Sequence, residues 1–282
     1  MTARSLDARI HVAPSTQATR AEIQSFHSSA FIDRVVEQSI DGRGFLDYGD
    51  TPAFPGIYEA AASVVGSTLD AVERLMDGST NRAFVPIAGL HHATRNAAGG
   101  FCVFNDCAIA VEVLRSRHGI HRIAYVDIDA HHGDGIFYAF EGDPEVFIGD
   151  IHEDGRFLYP GTGHAHESGT GGAEGTKLNI PLTPGAGDED FFKAWARIEA
   201  HIDDARPEFV ILQCGTDGLA GDPLAHLEYT PAAHRLAASR LCALADLHCQ
   251  GRILALGGGG YSPKGIADGW CAVVEALLES RS

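Results

Sequence analysis

Six short runs of apolar, β-favouring residues are spaced along the chain: RAFVPIAG, RIAYVDID, EVFIGDIH, KLNIPL, EFVILQCG and RILALGGGG. Around and between them the apolar residues recur at a helical period, most clearly over 57–78, 105–119 and 231–248. Runs this short and this apolar need cover on both faces, and strands separated by helices can pair in parallel. The pattern predicts an α/β fold, a largely parallel sheet flanked by helices on both faces. No Pro/Ser-rich linker, charge block, repeat or low-complexity tract divides the 282 residues, so a single domain is expected.

The residues that follow these runs carry the functional signal. RAFVPIAG leads into Leu90-His91-His92, RIAYV into Asp127, Asp129 and His131, EFVILQCG into Thr216 and Asp217, and RILALGGGG into Tyr261. Ligands of open parallel sheets bind beyond the carboxyl ends of the strands. Four runs deliver titratable or polar groups to that edge, more than packing needs. Within DIDAHHGDG, Asp129 and His131 are two apart in an extended segment and face the same way. Asp217, after another buried run, is the natural third ligand. An Asp-His-Asp set with an open position suits a catalytic Zn²⁺, which brings the pKa of a bound water to about 7. A divalent cation would also offset the several kcal/mol that each unpaired buried carboxylate costs. The competing arrangement is an Asp-His hydrogen-bonded network with no metal.

Bulk properties narrow the field. A formal net charge of −17 argues against nucleic-acid binding and suits a cationic partner. No stretch approaches the roughly 18 consecutive apolar residues of a membrane span, and the start MTARSLDARIHVAPS has no secretory h-region. The six cysteines form no CxxC pair, which fits reduced thiols in a cytoplasmic protein.

Taken together, GLHHATRNAAGGFCVFND, YVDIDAHHGDG, YPGTG, CGTDGLAGDPL and LGGGGY resemble, in content and order, the motifs of the histone deacetylase superfamily. That superfamily includes acetoin-utilisation proteins and acetylpolyamine amidohydrolases. The resemblance runs from about Thr19 to Trp270. It implies an arginase/deacetylase-like fold, with residues 1–18 an N-terminal extension and 19–282 the catalytic domain. It also implies a zinc-dependent amidohydrolase acting on acetyl-lysine or an acylated polyamine or small amine, with Fe²⁺ as the alternative metal.

By the same resemblance Asp129, His131 and Asp217 hold the metal. His92 is general base and then acid, and His91 is a mainly electrostatic partner. Asp127 is expected to hydrogen-bond His91 and Asp134 to hydrogen-bond His92, which fixes tautomer and raises basicity. Tyr261 donates to the oxyanion. Phe101 and Tyr159 sandwich the substrate's alkyl chain, with Gly100, Leu224 and Gly259 beside it. A monovalent cation such as K⁺ is expected behind the zinc, held by carbonyls of residues 127–131 and the Asp129 carboxylate.

The chain also departs from the family pattern. The usual His-Pro-containing opening, which builds part of the rim, has no counterpart in HVAPSTQATRAEIQSFHSSAFIDRV. A wider, shallower entrance is expected, or a rim completed by a neighbouring subunit of a homo-oligomer. Asp150 stands where many relatives have a serine near the inner cation. Asp47 and Asp50 are the candidates for an acidic rim residue. His118, His121, His201, His234 and His248 are expected to be solvated, His152 to be structural, and His164 and His166 to lie in a Gly-rich loop. Two other functions compete. An arginase-like ureohydrolase needs a D-x-D pair for a second metal, whereas Asp217 is followed by Gly218-Leu219. A catalytically silent binding protein would not need His92, Asp134 and Tyr261.

Overall fold

The computed structural model describes residues 6–279. Strands β1 (Arg82–Val85), β2 (Ile123–Asp127), β3 (Val146–Glu153), β4 (Lys177–Leu182), β5 (Phe209–Gln213) and β6 (Ile253–Leu256) form one sheet. Their order is β1-β6-β5-β2-β3-β4, and every pair is parallel. Each coincides with one of the six apolar runs, β3 reaching one residue past its run to Glu153. The helices are α1 (Arg20–Ile23), α2 (Ser29–Asp41), α3 (Ile57–Met76), α4 (Asp106–His118), α5 (Asp134–Phe140), α6 (Asp188–Ala205), α7 (Pro231–His248) and α8 (Pro263–Glu279).

Side-chain alternation along the strands divides the core in two. Ile123 and Tyr125 of β2 pack with Val65 and Val72 of α3 and Leu114 of α4. Ala124 and Val126 point the other way, towards Trp195 and Ile198 of α6 and Leu241 of α7. β2 is buried throughout, which is why its sequence reads as an uninterrupted apolar run. Full burial of each large aliphatic side chain contributes about 1.5–3 kcal/mol.

Local chemistry sets the helix ends. Asn105 caps α4 by accepting the Ala108 N–H at 2.9 Å, and Thr230 caps α7 ahead of Pro231. Ahead of α1, Leu6 is buried against Cys271 and Val274 of α8, and the Ala18 N–H donates to the Ala62 carbonyl at 2.9 Å.

The topology determines where a ligand can go. From β2 the chain moves outward to β3 and β4, then returns through α6 to β5 on the other side of β2 and moves on to β6. The winding therefore reverses between β2 and β5. At such a reversal the connections part and leave a crevice beyond the strand ends. Asp127 of β2 lies in register with Gln213 of β5 on one side and Asp150 of β3 on the other. A row of polar groups thus crosses the sheet at the mouth of the crevice.

Candidate active site

The loops after β2 and β5 bring Asp129, His131 and Asp217 together. One ligand atom from each lies within 4.8 Å of the others, and His131 Nδ1 is 3.1 Å from Asp129 Oδ1 and 3.0 Å from Asp217 Oδ2. The outer oxygens are already occupied. Asp129 Oδ2 accepts the Gly259 N–H at 2.9 Å and the Gln213 amide at 2.8 Å, and Asp217 Oδ1 accepts the Ala130 N–H at 2.8 Å. These bonds turn the remaining oxygens inward towards His131, as supporting groups around a metal do.

Both carboxylates are almost fully buried. Burial and the neighbouring Asp129 charge push the Asp217 carboxyl up to about 7. Burial opposes charge on His131 as well, but its hydrogen bonds to Asp129 and Asp217 prevail and raise it to about 11. One imidazole proton shared by two carboxylates leaves the cluster short of positive charge. A divalent cation fits the donor set, in type and in charge. Two glycines make room for the carboxylates. A Cβ at residue 215 would lie 1.9 Å from Asp129 Oδ2, and one at 259 would lie 2.5 Å from Asp217 Oδ2.

The histidine pair lies beside this cluster. His91 Nδ1–H donates to Asp127 Oδ2 and His92 Nδ1–H to Asp134 Oδ1, both at 2.7 Å, and the two Nε2 atoms are 3.1 Å apart. The neighbours separate two chemically identical rings. Burial lowers both, but the charges of Asp127 and Asp129 outweigh it at His91 and raise that ring to about 10. Burial and the positive His91 push His92 down to about 4, which keeps it neutral and able to accept a proton.

Tyr261 lines the same cleft, with its N–H held by Asp222 Oδ2 at 2.8 Å. Burial and the Asp129 and Asp217 charges hold its phenol protonated, hence a donor. The cleft encloses about 660 Å³ and is also lined by Gly100, Phe101, Tyr159, Leu224 and Gly259. Gly100 has φ +50°, and a Cβ there would lie 2.4 Å from His92 Cδ2. Phe101, at φ +67°, is a bulky residue in left-handed backbone, and its N–H donates to Thr51 Oγ1 at 3.1 Å.

At the rim the two acidic candidates separate. Asp47 is consumed by its own turn, accepting the N–H groups of Gly49, Asp50 and Thr51 and the Thr51 hydroxyl. Asp50 lines the cleft. Asp150 is engaged inside the fold, with His152 Nδ1–H donating to Oδ1 at 2.6 Å and the Gly133 N–H to Oδ2 at 3.1 Å. His164 and His166 stack on each other at 5.5 Å.

One expectation is overturned. His234 is not solvated: it is fully buried, with its Nε2–H donating to the Gly215 carbonyl at 2.8 Å. The α7 face that carries it packs towards the loop that carries Asp217. Other supporting residues carried no sequence signal of the contacts they make here. Asp106 accepts the Gly89 and Leu90 N–H groups and the Thr68 hydroxyl, and Asn105 Nδ2 donates to the carbonyls of His91 and Ala93. The start of α4 thus clamps the histidine loop. Gln213 could have been noticed as an amide inside an otherwise apolar strand.

A family model described as the histone deacetylase domain matches residues 1–277. The acetoin utilization protein AcuC of Bacillus subtilis is 37% identical over 258 residues, covering 86% of this chain and 65% of that protein. Histone deacetylase 8 of Xenopus laevis is 34% identical over 273 residues, covering 94% and 82%. Among solved structures, the HDA15 HD domain superposes with a TM-score of 0.88 at 31% identity, covering 95% of this chain and 76% of that one.

Proposed function

The chain belongs to the histone deacetylase family, and from that premise we propose that it is a zinc-dependent amidohydrolase that removes an acetyl or longer acyl group from an amine. One observation carries this reading: three inward-facing metal donors, a neutral histidine held by an aspartate and a protonated tyrosine share one cleft. A divalent ion bound by Asp129, His131 and Asp217 would polarise an acyl carbonyl and activate a water. Fe²⁺ is the alternative ion for this donor set.

The chain's own residues supply the rest. With Nδ1–H held by Asp134, His92 presents Nε2 as the base for the attacking water's proton. It then returns that proton to the departing amine nitrogen. His91, positive and tied to Asp127, stabilises the negative charge that develops beside it. Tyr261 donates its hydroxyl to the acyl oxygen as that oxygen becomes anionic. Phe101 and Tyr159 flank the alkyl stem of the amine, with Leu224 and Gly100 completing the slot. Asp50, exposed at the rim, suits the cationic character of an acylated lysine peptide or polyamine. Behind the site, the carbonyls of residues 127–131 and the Asp129 carboxylate would hold a monovalent cation such as K⁺.

The ureohydrolase alternative is weaker. It needs a second metal held by a D-x-D pair, yet Asp217 is followed by Gly218-Leu219, which offer no second carboxylate. The test is elemental analysis of the purified protein, followed by acyl-lysine and acylpolyamine panels with and without chelator. Turnover that is lost on chelation and restored by Zn²⁺ is expected. A protein that carries the ion but turns over none of the panel would support the silent-binder alternative instead.

A further inference from the structure

Gln213 is the last residue of β5, is fully buried, and interrupts an otherwise apolar strand. Its amide orientation is fixed by its neighbours. The Gly215 N–H can only donate, so Oε1 faces it at 2.7 Å, and Nε2 must face the other way. Nε2 then donates to Asp129 Oδ2 at 2.8 Å and to the Gly89 carbonyl at 3.2 Å, which uses both of its hydrogens. His91 Nδ1 lies 3.3 Å from the same nitrogen, but its proton is already given to Asp127, so the two donors make a packing contact only. The β6 loop closes against the amide from the last side. A Cβ at residue 258 would lie 2.6 Å from both amide heteroatoms.

The geometry points to Gln213 as a positioning residue that sets the metal site and the histidine pair in register with each other. One side chain holds three loops at once: the loop after β1 through Gly89, the loop after β2 through Asp129, and the loop after β5 through Gly215. By occupying Asp129 Oδ2 it leaves Oδ1 as the inward donor. By holding the Gly89 carbonyl it fixes the loop that carries His91 and His92. Four of this amide's contacts touch the site, and an apolar residue would fill the volume without any of its hydrogen bonds. This inference rests on the metal reading proposed above.

Gln213→Met keeps the length of the side chain and removes all three hydrogen bonds. Its expected effect is a ~10- to 100-fold weaker affinity for Zn²⁺ or Co²⁺, read by competition with a chromogenic chelator. The visible spectrum of bound Co²⁺ should change as Asp129 Oδ2, left with the Gly259 N–H, shifts from its position. At saturating metal, kcat falls while KM stays unchanged, because the substrate slot does not touch Gln213. The chelated variant should melt below the chelated parent, because the Gly215 N–H and the Gly89 carbonyl lose their partner, so metal affinity is compared at a temperature where both are folded. Gln213→Asn, whose amide is one methylene too short to reach Asp129, serves if the methionine variant does not fold, with the same direction expected. Parent-like metal affinity and an unchanged Co²⁺ spectrum in these variants would overturn the role assigned to Gln213 alone. A parent protein that binds neither ion would instead overturn the metal reading, and this inference with it.

Discussion

The two ends of the sheet treat charge in opposite ways. Where the strands enter, Arg82, Glu208 and Lys177 each have polar partners of their own. Arg82 pairs with Asp246 at 2.6 Å, and Glu208 accepts the backbone N–H groups of His121 and Arg122 at 2.9 Å each. Lys177, buried, donates to the carbonyls of Asp143 and Val146 and to the Thr176 hydroxyl at 2.6–2.9 Å. Where the strands leave, Asp127, Asp129, Asp150 and Asp217 are all at most 1% exposed, and two of their oxygens converge on a single imidazole nitrogen. These entry-end groups are matched, whereas the exit end is open to one more cation. A fold gains nothing from an unfinished cluster of that kind, which is the reason for assigning the proposed chemistry to the exit end.

The contrast can be broken most directly at Asp217. Asp217→Ala should lose the bound ion, measured by elemental analysis, and turnover should disappear with it. Retention of the ion would mean that it is held elsewhere and that the exit end is a hydrogen-bonded network. Next in size, His92→Ala should keep its metal yet lose about 10²–10⁴-fold in kcat. Tyr261→Phe should follow at about 10²–10³-fold, again with metal retained.

At the entry end the same kind of substitution should affect stability only. Lys177→Met leaves the Asp143 and Val146 carbonyls without their donor and should cost about 1–3 kcal/mol in denaturant unfolding, with turnover per folded molecule unchanged. A fall in turnover at full folding would show that the two ends are not independent. The smallest effect is expected at Asp47, whose charge belongs to the rim turn. Burial alone would raise this carboxyl, but the Thr51 hydroxyl and the N–H groups of residues 49–51 hold it down at about 2. A carboxyl lowered on folding stabilises above its unfolded value and loses that contribution as pH falls towards the folded one. The stability difference between the parent and Asp47→Asn should therefore be full at neutral pH and should close between about pH 4 and pH 2.

Much of this was legible from residues alone. The six strands followed from apolar runs too short for helices, and three helices from their apolar period. α8 was harder to see, because Gly265 and Gly269 read as helix breakers. Gly269 lies where the helix presses on Thr216: a Cβ there would be 2.7 Å from its Cγ2. Asp129 and His131 were readable from their i, i+2 spacing, which backbone geometry alone converts into a shared direction. His234 was misread because helical periodicity does not say what covers a face. Asp106 and Gln213 were passed over because a polar residue within an apolar segment is ordinary until its partners are known.

The sequence alone determined the parallel α/β architecture, the edge at which polar groups gather and the types of ligand available there, because periodicity and chain direction are local properties. Only the tertiary structure decided which carboxylate oxygens face inward, which of two adjacent histidines stays neutral, and which buried amide holds three loops together. Those outcomes depend on distances of a few ångströms between residues far apart in the chain. Hydrogen bonds and desolvation, which act over that range, cannot be assigned until the winding of the sheet has set the loops side by side.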